Sequence, residues 1–312
     1  MIVINATCFH VSSISYRSTR DNVPNLRGAC VSVAGECPFP CTSCQACPEN
    51  VCVGFQYRAK LTQTSCRIDP LIYRNVVLQN HASAALFERT LATGSKPFDF
   101  YTRNVKCVCI WPALSDDSLQ TIFSKCNAAE TIALGQSNSA SFQSQNIRKL
   151  SCSWEAIGTR PHLTISSPFL SNLTHFELMI PFKNLDWAAL NSLHTVTHMS
   201  FIDSVYLAHE KDIMKYIETA RFPSSLVVCI LWANPNAMSG MPKEWFKDHD
   251  PRVVLGCSKL MLSPSSAYVI CRNYFDSNVF IEDWAPPPIG KMEMWRLAEE
   301  VSALQKALRI SS

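Results

Sequence analysis

Between Val105 and Leu231 the apolar residues recur in one short phrase, apolar-x-x-apolar-x-apolar, written six times. The copies are Val105/Val108/Ile110, Ala129/Ile132/Leu134, Ile147/Leu150/Cys152, Leu173/Phe176/Leu178, Val196/Met199/Phe201 and Leu226/Cys229/Leu231. Successive copies begin 24, 18, 26, 23 and 30 residues apart. The last two apolar positions of each copy stand two apart, the period at which side chains of a strand return to one face. Between copies the period becomes helical. Asp116-Asp117 opens a stretch with Leu119, Ile122 and Phe123 on one side, Asp186 leads Trp187, Leu190 and Leu193, and Asp212 to Ala220 carries Ile213, Tyr216 and Ile217. An Asp at such a start accepts hydrogen bonds from the free N–H groups of the first turn. Strand, helix and strand in alternation predict parallel pairing with right-handed crossovers.

The flanks add further elements. Leu71 to Leu78 reads as a strand, and Ala82 to Leu91 as a helix stopped by Gly94 and Pro97. Beyond Leu231 the period blurs. Arg252–Leu255, Lys259–Leu262, Tyr268–Cys271 and Val279–Ile281 read as closing strands, ended by Pro286-Pro-Pro288. Lys291 to Arg309 reads as an amphipathic helix with Trp295, Ala298, Val301, Leu304 and Leu308 along one stripe.

One strand plus a return element at this spacing is the signature of leucine-rich repeats, in which a unit buries its apolar face only by stacking on its neighbours. The expected fold is therefore α/β: an irregular leucine-rich-repeat-like solenoid over residues 70–312. Its sheet is parallel, its helices lie on the outer side, and the last helix caps the open end. Residues 1–69 have neither periodicity and read as a cysteine-rich, poorly ordered segment.

Composition narrows the partners. Hydrophobic residues at 47% and charged residues at 17% exclude a disordered chain. A net charge of +3 without a basic stretch gives no reason to expect nucleic acid. No apolar run approaches the ~20 residues of a membrane span, so no membrane partner is expected either. Residues 1–15 lack the basic start and long apolar stretch of a secretory signal, which makes the expected location cytoplasmic or nuclear.

There are 15 cysteines. Those of the body read as small hydrophobic residues. Ahead of it runs Cys37, Cys41, Cys44, Cys47 and Cys52. Three of these at x2 spacing, followed by Pro48, approach an iron–sulfur loop, but the position for the fourth ligand is Val51. Paired thiolates also suit zinc, although a second separated pair is missing. The competing reading is an unstructured leader.

Alternation along the repeat strands sends a second set of residues to the face opposite the apolar one. That set is Cys107, Cys109 and Trp111, then Thr131 and Ala133, then Lys149 and Ser151. It continues with His175 and Glu177, His198 and Ser200, and finally Val228, Ile230 and Trp232. In this register His175 and His198 are neighbours about 5 Å apart. With Glu177 they suggest metal or acid–base chemistry, but a coordination set needs more ligands. They read equally as polar groups on a solvated face. Trp111 and Trp232 read either as anchors for a partner or as side chains tucked into neighbouring loops. The expected partner-binding face is thus Trp111, Lys149, His175, Glu177, His198 and Trp232. Gly-x-Ser-x-Gly, Gly-x-Gly-x-x-Gly, P-loop and His-Glu-x-x-His motifs do not occur, so neither an enzyme nor a cofactor is expected.

Several segments resemble a known family. Asn172-Leu-Thr-His-Phe-Glu-Leu178 and Val196-Thr-His-Met-Ser-Phe201 are similar to strands of fungal F-box-associated, leucine-rich-repeat-like proteins. Leu185-Asp-Trp187 with Leu190 and Leu193 resembles their helix, Asp69–Leu78 the segment after the F-box, and Trp295–Glu299 their C-terminal helix. The resemblance covers residues 69–312 and implies a substrate-recognition subunit. In such a subunit the F-box docks a Skp-type adaptor of a cullin ubiquitin ligase, and the repeats hold a protein target. The chain departs from the family ahead of Pro70, where Val23-Pro24 is the sole echo of the F-box start and no docking residue carries over.

Overall fold

In a computed structural model the described residues are 69–94, 96–97, 99–135, 146–154, 168–203, 210–232, 249–258, 269–273, 276–287 and 289–311. The account below concerns Pro70–Ser312.

Among the described residues nine strands form one sheet, and their order in space is their order in the chain. They are β1 (Asn75–Leu78), β2 (Cys107–Ile110), β3 (Thr131–Leu134), β4 (Lys149–Ser153), β5 (His175–Met179), β6 (His198–Ile202), β7 (Val228–Trp232), β8 (Val253–Ser258) and β9 (Val269–Arg272). Every adjacent pair is parallel. The register follows the apolar phrase: Val76, Val108, Ile132, Leu150, Phe176, Met199, Cys229 and Val253 face one another in one unbroken row. The first apolar position of each copy lies just before its strand, and all six are buried there: Val105, Ala129, Ile147, Leu173, Val196 and Leu226.

The elements described between the strands pack on that row. Helix α1 (His81–Ala92) begins in a capping box, where Asn80 Oδ1 accepts from the Ser83 amide at 2.9 Å and Ser83 Oγ accepts from the Asn80 amide at 3.2 Å. It buries Phe87 and Leu91. A short helix α2 (Phe100–Asn104) precedes β2. Helix α3 (Asp116–Lys125) buries Leu119 and Ile122. Its cap is Ser115, whose Oγ accepts from the Ser118 amide, while Asp116 and Asp117 occupy the first turn. Asp186 does cap its element, accepting from the amides of Ala188 and Ala189, but Trp187–Ser192 is a 3₁₀ helix. Helix α4 (Glu210–Thr219) supplies Ile213 and Ile217. Strand residues and these elements share one continuous core.

A second core lies on the other face. It is covered by α5 (Ser277–Trp284) and α6 (Glu293–Ser311). The turn joining them is tight. A Cβ on Gly290 would come within 1.9 Å of the Ala285 carbonyl oxygen, so the close return requires glycine there. Met292 adopts a left-handed φ of 53°, uncommon for a residue other than glycine. Its amide and that of Lys291 both donate to the Glu282 carbonyl at 2.9 Å.

Several expectations are corrected by this arrangement. The final helix does not stand at the end of the sheet as a cap. It packs across β7, β8 and β9 and against α5, and reaches β5 and β6 through Trp295. Its buried residues are Met294, Trp295, Ala298, Val301, Ser302 and Gln305, whereas Leu304 is 49% exposed. Gln305, turned to donate, reaches the carbonyls of Pro251 and Val253 at 3.0 and 3.1 Å. Val279–Ile281 belongs to helix α5 rather than a strand. The first strand is shorter than expected, because residues 69–72 are helical. The expected strand at Lys259–Leu262 lies outside the described residues.

Candidate functional site

The residues expected on an open face are where alternation places them, but the face is closed. On β4, β5 and β6, Lys149, His175 and His198 form one row, and Ser151, Glu177 and Ser200 the next. Over them lie α5 and α6. Glu177 is 1% exposed, Ser200 0% and Trp232 4%, while Trp111, Lys149, His175 and His198 are half-buried. The expectation of a solvated partner face from Trp111 to Trp232 is therefore corrected. Apolar neighbours in the same plane, among them Val228, Ile230 and Val254, needed cover, and residues distant in the chain supply it.

The two tryptophans lie flat because of what stands beside them. Trp111 rests against Gly135 and Trp232 against Gly256 on the next strand, where any Cβ would come within 2.3 and 2.6 Å of the indole. Trp111 also meets the Phe280 ring of α5 at 5.2 Å. Neither indole projects from the molecule.

At the centre Glu177 accepts three hydrogen bonds. Ser151 Oγ donates to Oε1 at 2.7 Å, Trp284 Nε1 to Oε1 at 3.0 Å, and Ser200 Oγ to Oε2 at 2.8 Å. Ser200 Oγ accepts in turn from Trp232 Nε1 at 2.9 Å. Burial pushes the Glu177 carboxyl above its ordinary range, and these donors oppose the shift. Nearby Asp283 pairs with Arg272 at 2.8 Å and accepts from the Met294 amide at 3.0 Å. Burial still outweighs the guanidinium and raises Asp283 to about 7. Such a network, with each acceptor matched, fixes α5 and α6 over the sheet in one position.

The histidines stack, with ring centroids 4.3 Å apart and planes within 3°. The Trp295 ring stands nearly perpendicular to both, its centroid 5.4 Å from each. Each Nδ1 pairs with the hydroxyl of the preceding threonine, Thr174 at 3.0 Å and Thr197 at 2.8 Å. His198 Nε2 meets Glu299 Oε1 at 2.8 Å. Parallel rings aim their nitrogens side by side rather than at a common point. No group of three or more metal-ligating side chains is arranged to hold an ion among the described residues. Burial, then His198 and Lys149, lower His175 to about 3, so its ring is neutral near pH 7. Burial likewise lowers His198 against the pull of Glu299, and lowers Lys149, whose Nζ lies 3.1 Å from Met292 Sδ. The cysteine run Cys37, Cys41, Cys44, Cys47 and Cys52 lies outside the described residues.

Sequence reading missed Arg272, Asp283, Trp284, Trp295 and Glu299 as parts of this centre. A signal was present. The strands Cys107–Ile110, Thr131–Leu134 and Val228–Trp232 are apolar at nearly every position, as parallel strands buried on both faces are.

A polar groove runs along the N-terminal ends of the middle strands, lined by Lys106, Glu130, Asn146, Arg148, Thr174 and Thr195 among others. Lys106 and Glu130 form an exposed ion pair across it at 3.8 Å. No helix of the described residues is long and apolar enough to cross a membrane. In comparison with known proteins, no family model, no curated protein and no solved structure matches the chain.

Proposed function

We propose that this chain is a protein-recognition module of leucine-rich-repeat-like, solenoid construction. In this reading it serves as a degenerate F-box-type substrate adaptor of a cullin ubiquitin ligase, acting in the cytoplasm or nucleus by binding rather than by catalysis. The observation that carries it is the strand order: nine parallel strands, added one after another in chain order with one continuous register. Stacked units of this kind extend a surface instead of enclosing a pocket. With α5 and α6 covering one face of the sheet, the target meets the exposed groove at the strand starts, through Lys106, Glu130, Arg148 and Thr174. Residues 1–70 contact the Skp-type adaptor.

The full chain, tagged and expressed, should co-purify with a Skp-type protein. Deletion of residues 1–70 should abolish that association while leaving target capture intact. The paired substitution Lys106→Glu with Arg148→Glu should do the reverse. A full chain that folds but never brings down a Skp-type protein removes the adaptor reading. Unchanged target capture by the double variant removes the groove.

A further inference from the structure

Among the described residues two pairs of thiols touch, and they differ in geometry and access. Cys257 on β8 and Cys271 on β9 are register partners in neighbouring strands, with Sγ atoms 3.4 Å apart. Cys107 and Cys109 stand two apart along β2, with Sγ atoms 3.6 Å apart. Neighbouring strands run about 4.8 Å apart, inside the roughly 4.4–6.8 Å between Cα atoms that a disulfide accepts. Two residues along one extended strand span about 6.6 Å, near the outer limit. Access points the same way. Cys107 and Cys109 are each 1% exposed within the second core. Cys271 is half-buried on β9, which ends the described sheet, and Cys257 lies behind it at 1% exposure. Alternation along β8 places Cys257 with Val253 and Leu255, on the face opposite α6.

We propose that Cys257 and Cys271 form a reversible dithiol site whose co-substrate is an exogenous disulfide. Cys271, as thiolate, attacks one sulfur of a small disulfide. The S–S bond of the reagent breaks, a mixed disulfide forms on Cys271, and the first thiol leaves with the proton Cys271 gave up. Cys257 then attacks Cys271 Sγ. The mixed bond breaks, the Cys257–Cys271 bond forms, and the second thiol leaves with the proton from Cys257. Two protein thiols lose two protons and two electrons, and the reagent disulfide takes up both to become two thiols. Burial and the neighbouring Cys271 push the Cys257 thiol up, which lowers its thiolate fraction and slows the second step. The product ties the last strand of the described sheet to β8 across 14 residues of chain. This site is independent of the adaptor reading.

The test uses the full chain and oxidised glutathione. After treatment, remaining thiols are alkylated under denaturing conditions and the digest is mapped by mass spectrometry. The expected product is a Cys257–Cys271 peptide pair, about 2 Da lighter than its reduced halves and separated again by dithiothreitol. Cys107 and Cys109 should remain alkylated. Cys257→Ser should stop at a glutathione adduct on Cys271, and Cys271→Ser should leave Cys257 unmodified. Should either variant fail to fold, the wild-type map alone decides. Both thiols still alkylated in treated, folded protein, either one cross-linked elsewhere, or an equal yield of Cys107–Cys109 bond would overturn the proposal.

Discussion

The two faces of the sheet are covered by opposite strategies. On the first, the described cover comes from elements lying between successive strands, which supply Phe87, Leu119, Ile122, Leu190 and Ile213. On the second, Phe280, Ile281, Trp284, Met294 and Trp295 all come from one distant segment laid over strands as far away as β2. Local cover leaves a period in the sequence, and distant cover leaves none. At roughly 1.5–3 kcal/mol for each large apolar side chain fully buried, those five contribute on the order of 10 kcal/mol. That is an upper figure, yet it is comparable with the net stability of a whole domain. The C-terminal helices are thus part of the fold and not a loosely held flap.

The largest test of that equivalence removes the distant cover altogether. A chain ending before Ser277 exposes Ile230, Trp232, Val254 and Ile270 and should lose cooperative thermal unfolding, followed by circular dichroism. Smaller but still large, Trp295→Ala on the second face and Phe176→Ala on the first should each cost about 3–5 kcal/mol in denaturant unfolding. A solvated second face predicts almost nothing for Trp295. Next, Glu177→Gln keeps the side-chain volume but offers one oxygen to three donors, and should cost about 1–3 kcal/mol.

Titration sharpens the comparison within the second face. His175 is depressed from 6.5 to about 3. Its contribution is present above pH 6.5 and lost as pH falls toward 3, so the wild type should lose stability relative to His175→Gln across that window. Asp283 is raised from 3.8 to about 7. Its contribution is present below pH 3.8 and lost as pH rises through 7, so relative to Asp283→Asn the slope should have the opposite sign. Chemical denaturation at a series of pH values reads both. Smallest of all, Leu304→Ala on the exposed side of α6 should change stability by no more than about 0.5 kcal/mol.

How much of this was legible follows from the same contrast. The row Val108–Ile132–Leu150–Phe176–Met199 was readable because each residue repeats at the same place in a local phrase, and the neighbouring of His175 and His198 came with it. The cover was not readable, because nothing local ties Trp284 to Glu177, or Trp295 to His175, across 107 and 120 residues of chain. Polar residues at the centre of the face suggested solvent. They are instead a matched hydrogen-bonded set inside an apolar surround, with Val228, Ile230 and Val254 to one side and Cys107, Cys109 and Ala133 to the other. The apolar stripe of α6 misled in detail for a related reason. The helix buries Ser302 and Gln305 and turns Leu304 outward, and Gln305 finds its partners in the carbonyls of Pro251 and Val253, more than 50 residues away in the chain.

Amide hydrogen exchange on the full chain tests the central claim, that the second face is closed by the fold itself. Amides of α6 from Ala298 to Ser302 should exchange only through the same global opening that releases the β5 and β6 amides. Exchange of α6 by a separate, easier opening, with the strands still protected, would contradict it and return the row from Lys149 to His198 to solvent.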